Sequence, residues 1–272
     1  MNVVGVDGCR AGWFAFRVQR PTRRERPRWS SHLFATIDQL WRECRGADLI
    51  LIDVPIGLLD RGSEPRTCDA AARRLLRNGR AASVFPPPAR AALRATTYRD
   101  ACDRNERATG KRLSKQAFNI MPNIREVDAF LRTEDAARGV IRECHPELCF
   151  HAIIGRATNH RQSTREGLEE RLAALVSVVP EAQTMYARAI NAWPRRDVQR
   201  DDILDAMVAA WTALGWPDAL ISLPNHPPRD AAGLPMEMVV RHGRSDQPSQ
   251  PATSDCRHNG ANSPRSARSC TP

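Results

Sequence analysis

Val3-Val4-Gly5-Val6-Asp7-Gly8 opens the chain with an apolar run that ends in a single acid, and Leu49-Ile50-Leu51-Ile52-Asp53-Val54-Pro55 repeats the pattern before a turn-forming proline. Short, near-continuous apolar runs rich in β-branched residues belong to strands covered on both faces, the usual setting of parallel strands. Side by side and pointing the same way, the two runs bring Asp7 and Asp53 together at their carboxyl ends, the edge at which α/β sheets bind ligands. Two carboxylates held close in a partly buried cleft raise each other's pKa unless a cation or a shared proton relieves the repulsion. The pair therefore predicts a hard, oxygen-preferring cofactor ion, Mg²⁺ or Mn²⁺.

Working outward, residues 12–18 read as a second strand, close enough to the first for a hairpin. Residues 29–35 read as a third. Thr36 is the expected N-cap of a helix with Ile37, Leu40, Trp41 and Cys44 on one face, stopped by Gly46. The strand at 49–53 follows. Residues 56–135 break this rhythm: they are rich in Ala and Arg and divided by Pro86-Pro87-Pro88. They are read as a helical insertion after the fourth strand, with helices at 68–78, 89–95, 98–108 and 124–133. Strand character resumes at 139–143 and ends in a third acid, Glu143, before a turn at Cys144-His145-Pro146-Glu147. Helices are expected at 163–178 and 181–193. Another, at 201–211, carries Asp201, Asp202 and Asp205 at its start, with Asp202 and Asp205 on one face. Helix capping and dipole compensation account for acids there without chemistry. Three acids near one helix start exceed what capping needs, and metal ligation is the reading preferred. A short edge strand is placed at 236–240.

With 272 residues, 42% of them hydrophobic, the chain has enough material for one sizeable core, read as a single domain over residues 1–242. Residues 243–272 are Ser, Asn, Pro and Arg with little that is apolar, and are expected to be a disordered tail. No secretory signal pattern and no long apolar window is present, so a cytoplasmic protein without membrane attachment is expected. Eight scattered cysteines without paired spacing point to reduced thiols. Cys144, His145, Cys149 and His151 come nearest to a zinc cluster, yet lack ligand pairs drawn from two separate turns. The net charge of +10 is concentrated in residues 61–132, where sixteen basic residues face seven acidic ones. Of the 41 basic residues 39 are Arg, which suits bidentate phosphate recognition but is equally the product of a biased genome composition. Neither a phosphate-binding Walker loop nor a dinucleotide fingerprint is present, because Gly110-Lys111 lacks the upstream Gly and Gly5, Gly8 and Gly12 have the wrong spacing.

Three antiparallel strands, a helix, a parallel strand, an insertion, a further strand and an acidic helix sketch a ribonuclease H-like α/β fold, a mixed five-stranded sheet flanked by helices. Seven blocks sharpen it: residues 4–13 around Asp7, Ile52-Asp53-Val54-Pro55-Ile56-Gly57-Leu58, Arg66-Thr67-Cys68-Asp69, Ser83-Val84-Phe85-Pro86, Ile124-Arg125-Glu126-Val127-Asp128, Glu143-Cys144-His145-Pro146-Glu147 and Asp201-Asp202-Ile203-Leu204-Asp205-Ala206. In this order they resemble the DUF429 family, described as predicted ribonuclease H-like nucleases, over about residues 3 to 240. The resemblance implies that Asp7, Asp53, Asp202 and Asp205 hold one or two divalent ions, with Asp7 bridging them; Glu143, by its own place at a strand end, is read as a further catalytic acid, with a surface salt bridge to one of the many arginines as the alternative. Holliday-junction resolvases of this fold place acids similarly, including a pair three apart on the last helix. One ion would activate water and the other would stabilise the leaving oxygen in phosphodiester cleavage of DNA or RNA. The insertion, through Arg66, Arg73, Arg74, Arg77 and Lys115, would grip backbone phosphates.

Two other classes compete with the nuclease. One is a phosphotransferase of the actin and sugar-kinase type, although the second Gly-rich phosphate turn it needs is not found. The other is a nucleic-acid-binding protein without turnover, whose acids only cap turns. Oligomeric state is left open.

Overall fold

The computed structural model describes residues 1–22 and 25–242; the tail read from the sequence lies outside the described residues. β1 (Asn2–Cys9), β2 (Gly12–Gln19) and β3 (Arg28–Phe34) form an antiparallel meander. α1 (Ile37–Cys44) starts as its capping sequence predicts: Thr36 Oγ1 accepts from the Gln39 amide, and Ile37, Leu40, Trp41 and Cys44 are buried. β4 (Leu49–Ile52) then runs parallel to β1, in a register that pairs Val3 with Leu49 and Val6 with Ile52. β5 (Ile141–Glu143) joins parallel to β4. The resulting order, β3-β2-β1-β4-β5, is a mixed five-stranded sheet in an α/β fold, as the ribonuclease H-like reading expects.

Side chains of the central strands alternate between two cores. Val4, Val6, Ile50 and Ile52 pack toward α1 and the insertion, whereas Val3, Leu49 and Leu51 pack toward the C-terminal helices. The insertion contains α2 (Thr67–Leu75), α3 (Tyr98–Thr109), α4 (Lys115–Asn119) and α5 (Met121–Thr133). Within residues 89–95, expected to be helical, only Arg90–Arg94 wind, as a 3₁₀ turn. Squeezed between Pro88 and the N-cap of α3 at Thr97, the segment is too short to offset the nucleation of an α-helix.

α6 (Pro146–Ile154) occupies the stretch that the sequence reading began as a turn. His145 is its N-cap, accepting from the Glu147 amide through Nδ1 at 3.2 Å, and Pro146 takes the first helical position. α7 (Arg165–Val176), α8 (Ala182–Ala192) and α9 (Arg200–Ala213) follow. The expected edge strand appears as β7 (Met238–Arg241), not on the main sheet but paired antiparallel with β6 (Leu220–Leu223). The four-residue β6, half-buried throughout and ended by Pro224, carries too little alternation to be read from sequence. No helix among the described residues is long and apolar enough to cross a membrane.

α9 is the helix that fixes the site, and Gly5 is what admits it. A Cβ at Gly5 would stand 1.9 Å from the Ala210 nitrogen and 2.4 Å from the Ala206 carbonyl oxygen. The helix therefore lies against bare strand backbone. Every residue from Ile203 to Ala210 is buried.

Candidate functional site

The carboxyl ends of β1, β4 and β5 and the N-terminus of α9 meet at one edge of the sheet. Asp7 lies within β1, and Asp53 follows β4 with its amide donating to the Val6 carbonyl at 3.0 Å, extending the ladder by one residue. Glu143 ends β5. Asp202 and Asp205 project from the first turns of α9. All five line one cleft of about 650 Å³.

The five acids do not have one role. Glu143, expected as a catalytic acid, is buried in a clamp: it accepts from the Ile56 amide at 2.7 Å and from both terminal nitrogens of Arg66 at 2.8 Å. Arg66 also pairs with Asp69 and donates to the carbonyls of Ile56 and Gly57 at 2.9 and 3.2 Å. Burial pushes the Glu143 carboxyl up, to about 7, and Arg66 pulls the other way. With the guanidinium aligned on both oxygens, the charged form is the one the geometry serves. The clamp fixes the loop that leaves Asp53, so Glu143 positions the site and its oxygens are engaged.

Arg66, expected to contact nucleic acid, is only 2% exposed and is corrected to a member of this clamp. Its neighbour Asp69, three residues away on the first turn of α2, draws it inward. Arg73, Arg74, Arg77 and Lys115 are exposed, but the cleft lining does not include them. Arg73 donates to the Val84 carbonyl at 2.7 Å, and the Lys115 ammonium lies 3.9 Å from the centre of the Tyr98 ring.

Four carboxylates remain. Asp7 Oδ1 accepts from the Gly8 amide at 2.9 Å. Asp202 caps α9, its Oδ2 accepting from the Gln199 amide at 2.7 Å in a capping box, and it also lines the cleft. Asp205 is buried with Oδ1 lacking any hydrogen-bond partner. Burial, then Asp202, Asp53 and Asp205, hold the Asp7 carboxyl well above its ordinary value. Burial and Asp53 do the same to Asp205. Burial pushes Asp53 up to about 6, against His145 and with Glu147, and it pushes Asp202 up to about 6 as well.

Among the described residues no three or more acids, histidines or cysteines are grouped closely enough to hold a metal ion as they stand. The donor set nevertheless fits a hard cation: four carboxylates in one cleft, each disfavoured as an anion by burial, and one buried oxygen without a partner.

In the unfolded chain these acids titrate near 3.8, whereas in the fold they hold protons to higher pH. As pH rises from about 4 to about 6 the folded state binds more protons than the unfolded one, so their contribution to stability falls with rising pH. In chelator, Asp205→Asn, which removes a carboxyl that burial and Asp53 hold well above its ordinary value, is accordingly expected to melt above the wild type by a margin that widens from pH 5 to pH 7, by roughly 2–4 °C per kcal/mol relieved. Added Mg²⁺ or Mn²⁺ should raise the wild-type melting temperature more at pH 7 than at pH 5. Calorimetry at both pH values checks this; equal margins would remove the carboxylate repulsion.

The sequence reading missed a second buried network behind the cleft. Arg171, fully buried, pairs with Glu147 and donates to Thr158, whose hydroxyl donates to Glu147 at 2.6 Å. Arg80 Nε in turn donates to Thr158 Oγ1 at 3.0 Å. Glu147 stands in the motif that begins at Glu143, but Arg80, just past the expected helix at 68–78, and Arg171, inside another, look like any of the chain's many arginines.

No curated protein and no solved structure matches the chain. A family model described as a protein of unknown function, DUF429, matches residues 5–229, a span that begins inside β1 and runs past α9. It thus takes in all four cleft carboxylates together with the clamp residues Arg66 and Glu143. The chain belongs to the DUF429 family.

Proposed function

We propose that the protein is a metal-dependent nuclease, hydrolysing phosphodiester bonds of nucleic acid at the cleft beside β1. The observation that carries this reading is the convergence of Asp7, Asp53, Asp202 and Asp205, from two parallel strands and one helix, on a single cavity. Mg²⁺ or Mn²⁺ held by these four would supply an acidified water and neutralise charge developing on the phosphate. The chain's own part is to hold the acids in place. The Gly8 amide orients Asp7, the capping box leaves one Asp202 oxygen for the cleft, and the Arg66–Glu143 clamp steadies the loop that carries Asp53. Exposed Arg74 on α2 and Arg77 in the turn that follows it support a contact with backbone phosphates outside the cleft, weakening with salt.

The test incubates the full chain with single-stranded, branched and hybrid substrates in Mg²⁺ or Mn²⁺, beside Asp7→Asn, and separately with ATP. Metal-dependent cleavage that falls to background in Asp7→Asn is expected. Arg74→Glu with Arg77→Glu should lower affinity and flatten its salt dependence. ATP turnover without strand cleavage would replace the reading with a phosphotransferase, and binding without cleavage in any metal with a non-catalytic nucleic-acid-binding protein.

A further inference from the structure

Arg80 lines the same cleft as the four carboxylates, and its side chain is 15% exposed. Thr158 holds its Nε, and Thr158 is itself fixed by Glu147 and the fully buried Arg171. Its Nη2 nitrogen is buried and has no hydrogen-bond partner. A buried guanidinium N–H without an acceptor is costly, which makes it a ready contact for an anionic oxygen. A bare anion would be repelled by the neighbouring carboxylates, but one arriving with divalent cations would not. A phosphate oxygen meets both conditions.

The shape of the cleft narrows the choice further. Its volume of about 650 Å³ lies within the range of roughly 300–1,000 Å³ typical of small-molecule sites. Duplexes are instead read on open protein surface of about 1,000–2,500 Å². The insertion and the loop before α7 line the cavity with Phe85, Gln116, Asn123 and Gln162, one aromatic ring and three amides. An aromatic face accepts any unstacked base, and amides meet its polar edge.

We propose that the cleft receives one unpaired nucleotide at a time, its phosphate drawn to the Arg80 guanidinium and its base lying against Phe85. The substrate class is then a single strand or a frayed strand end. This rests on the nuclease reading above and specifies its substrate.

The experiment measures equilibrium binding of a labelled mixed-sequence single-stranded oligonucleotide and the matching duplex to the full chain in Mn²⁺, at several salt concentrations, with cleavage of both followed separately. The single strand is expected to bind tighter than the duplex. Arg80→Met should weaken single-strand affinity by roughly 10- to 100-fold, the worth of a hydrogen bond to a charged group. It should also reduce the slope of log affinity against log salt by about 0.7, one phosphate on a single strand. Phe85→Leu should weaken affinity at unchanged slope, and it serves as the independent variant should Arg80→Met fold poorly. Equal binding of duplex and single strand, or affinity untouched in both variants, would overturn the proposal. Cleavage of duplex without dependence on Arg80 or Phe85 would overturn it while leaving the nuclease reading intact. Single-strand binding that depends on both residues, with no cleavage in any metal, would support the cleft's specificity and overturn the nuclease reading alone.

Discussion

Gly5→Ala is expected to destabilise the protein by about 3 kcal/mol, at the upper end of what overpacking normally does. The added methyl would lie 1.9 Å from the Ala210 nitrogen and 2.6 Å from the Ala209 carbonyl carbon. These are backbone atoms of a buried helix, which no rotamer change can move aside. The opposing gain, replacing Gly by a residue less mobile in the unfolded chain, amounts to no more than about 1 kcal/mol. Steric displacement therefore wins. Gly46→Ala, where a methyl meets nothing within 4 Å, should stay within about 0.5 kcal/mol of the wild type or gain slightly. Urea unfolding of the two variants side by side measures the contrast. A Gly5→Ala protein as stable as Gly46→Ala would show that α9 does not lie on β1 as described.

Arg66→Met should cost about 3–5 kcal/mol, the usual consequence of stranding buried charge. Glu143 and Asp69 would lose their counter-ion, and the Ile56 and Gly57 carbonyls would lose their donor. Because protonation neutralises stranded carboxylates, the deficit should shrink as pH is lowered. Combining Arg66→Met with Asp69→Asn and Glu143→Gln removes the charges and should restore more than half of the loss. Denaturation of the single and triple variants at two pH values decides the matter. A single variant within about 1 kcal/mol of the wild type would mean that the clamp is solvated rather than buried.

Much of this architecture was legible in advance because the informative signals are local. Two apolar runs ending in Asp7 and Asp53 announced parallel strands, and Thr36 with its apolar stripe announced α1. The acids of α9 were legible too: Asp202 caps the helix as that reading expects, and because a carboxylate has two oxygens and capping engages one, it lines the cleft as well. Partnership was what the chain could not declare. Glu143 looked like Asp53, an acid at a strand end, and only the approach of Arg66 across 77 residues separates their roles. Arg66 likewise shared its composition with the exposed Arg74 and Arg77. β6 and α6 escaped because one is four residues long and the other begins with a proline that also reads as a turn.

The contact between Gly5 and Ala210 joins nearly the first residue of the domain to nearly the last of its main helices. Closing so long a loop is entropically slow, and little local structure rewards it early. During synthesis β1 waits with one face uncovered until α9 has cleared the ribosome. An unfinished chain of this protein carries Asp7 and Asp53 but has no partner acids to set beside them.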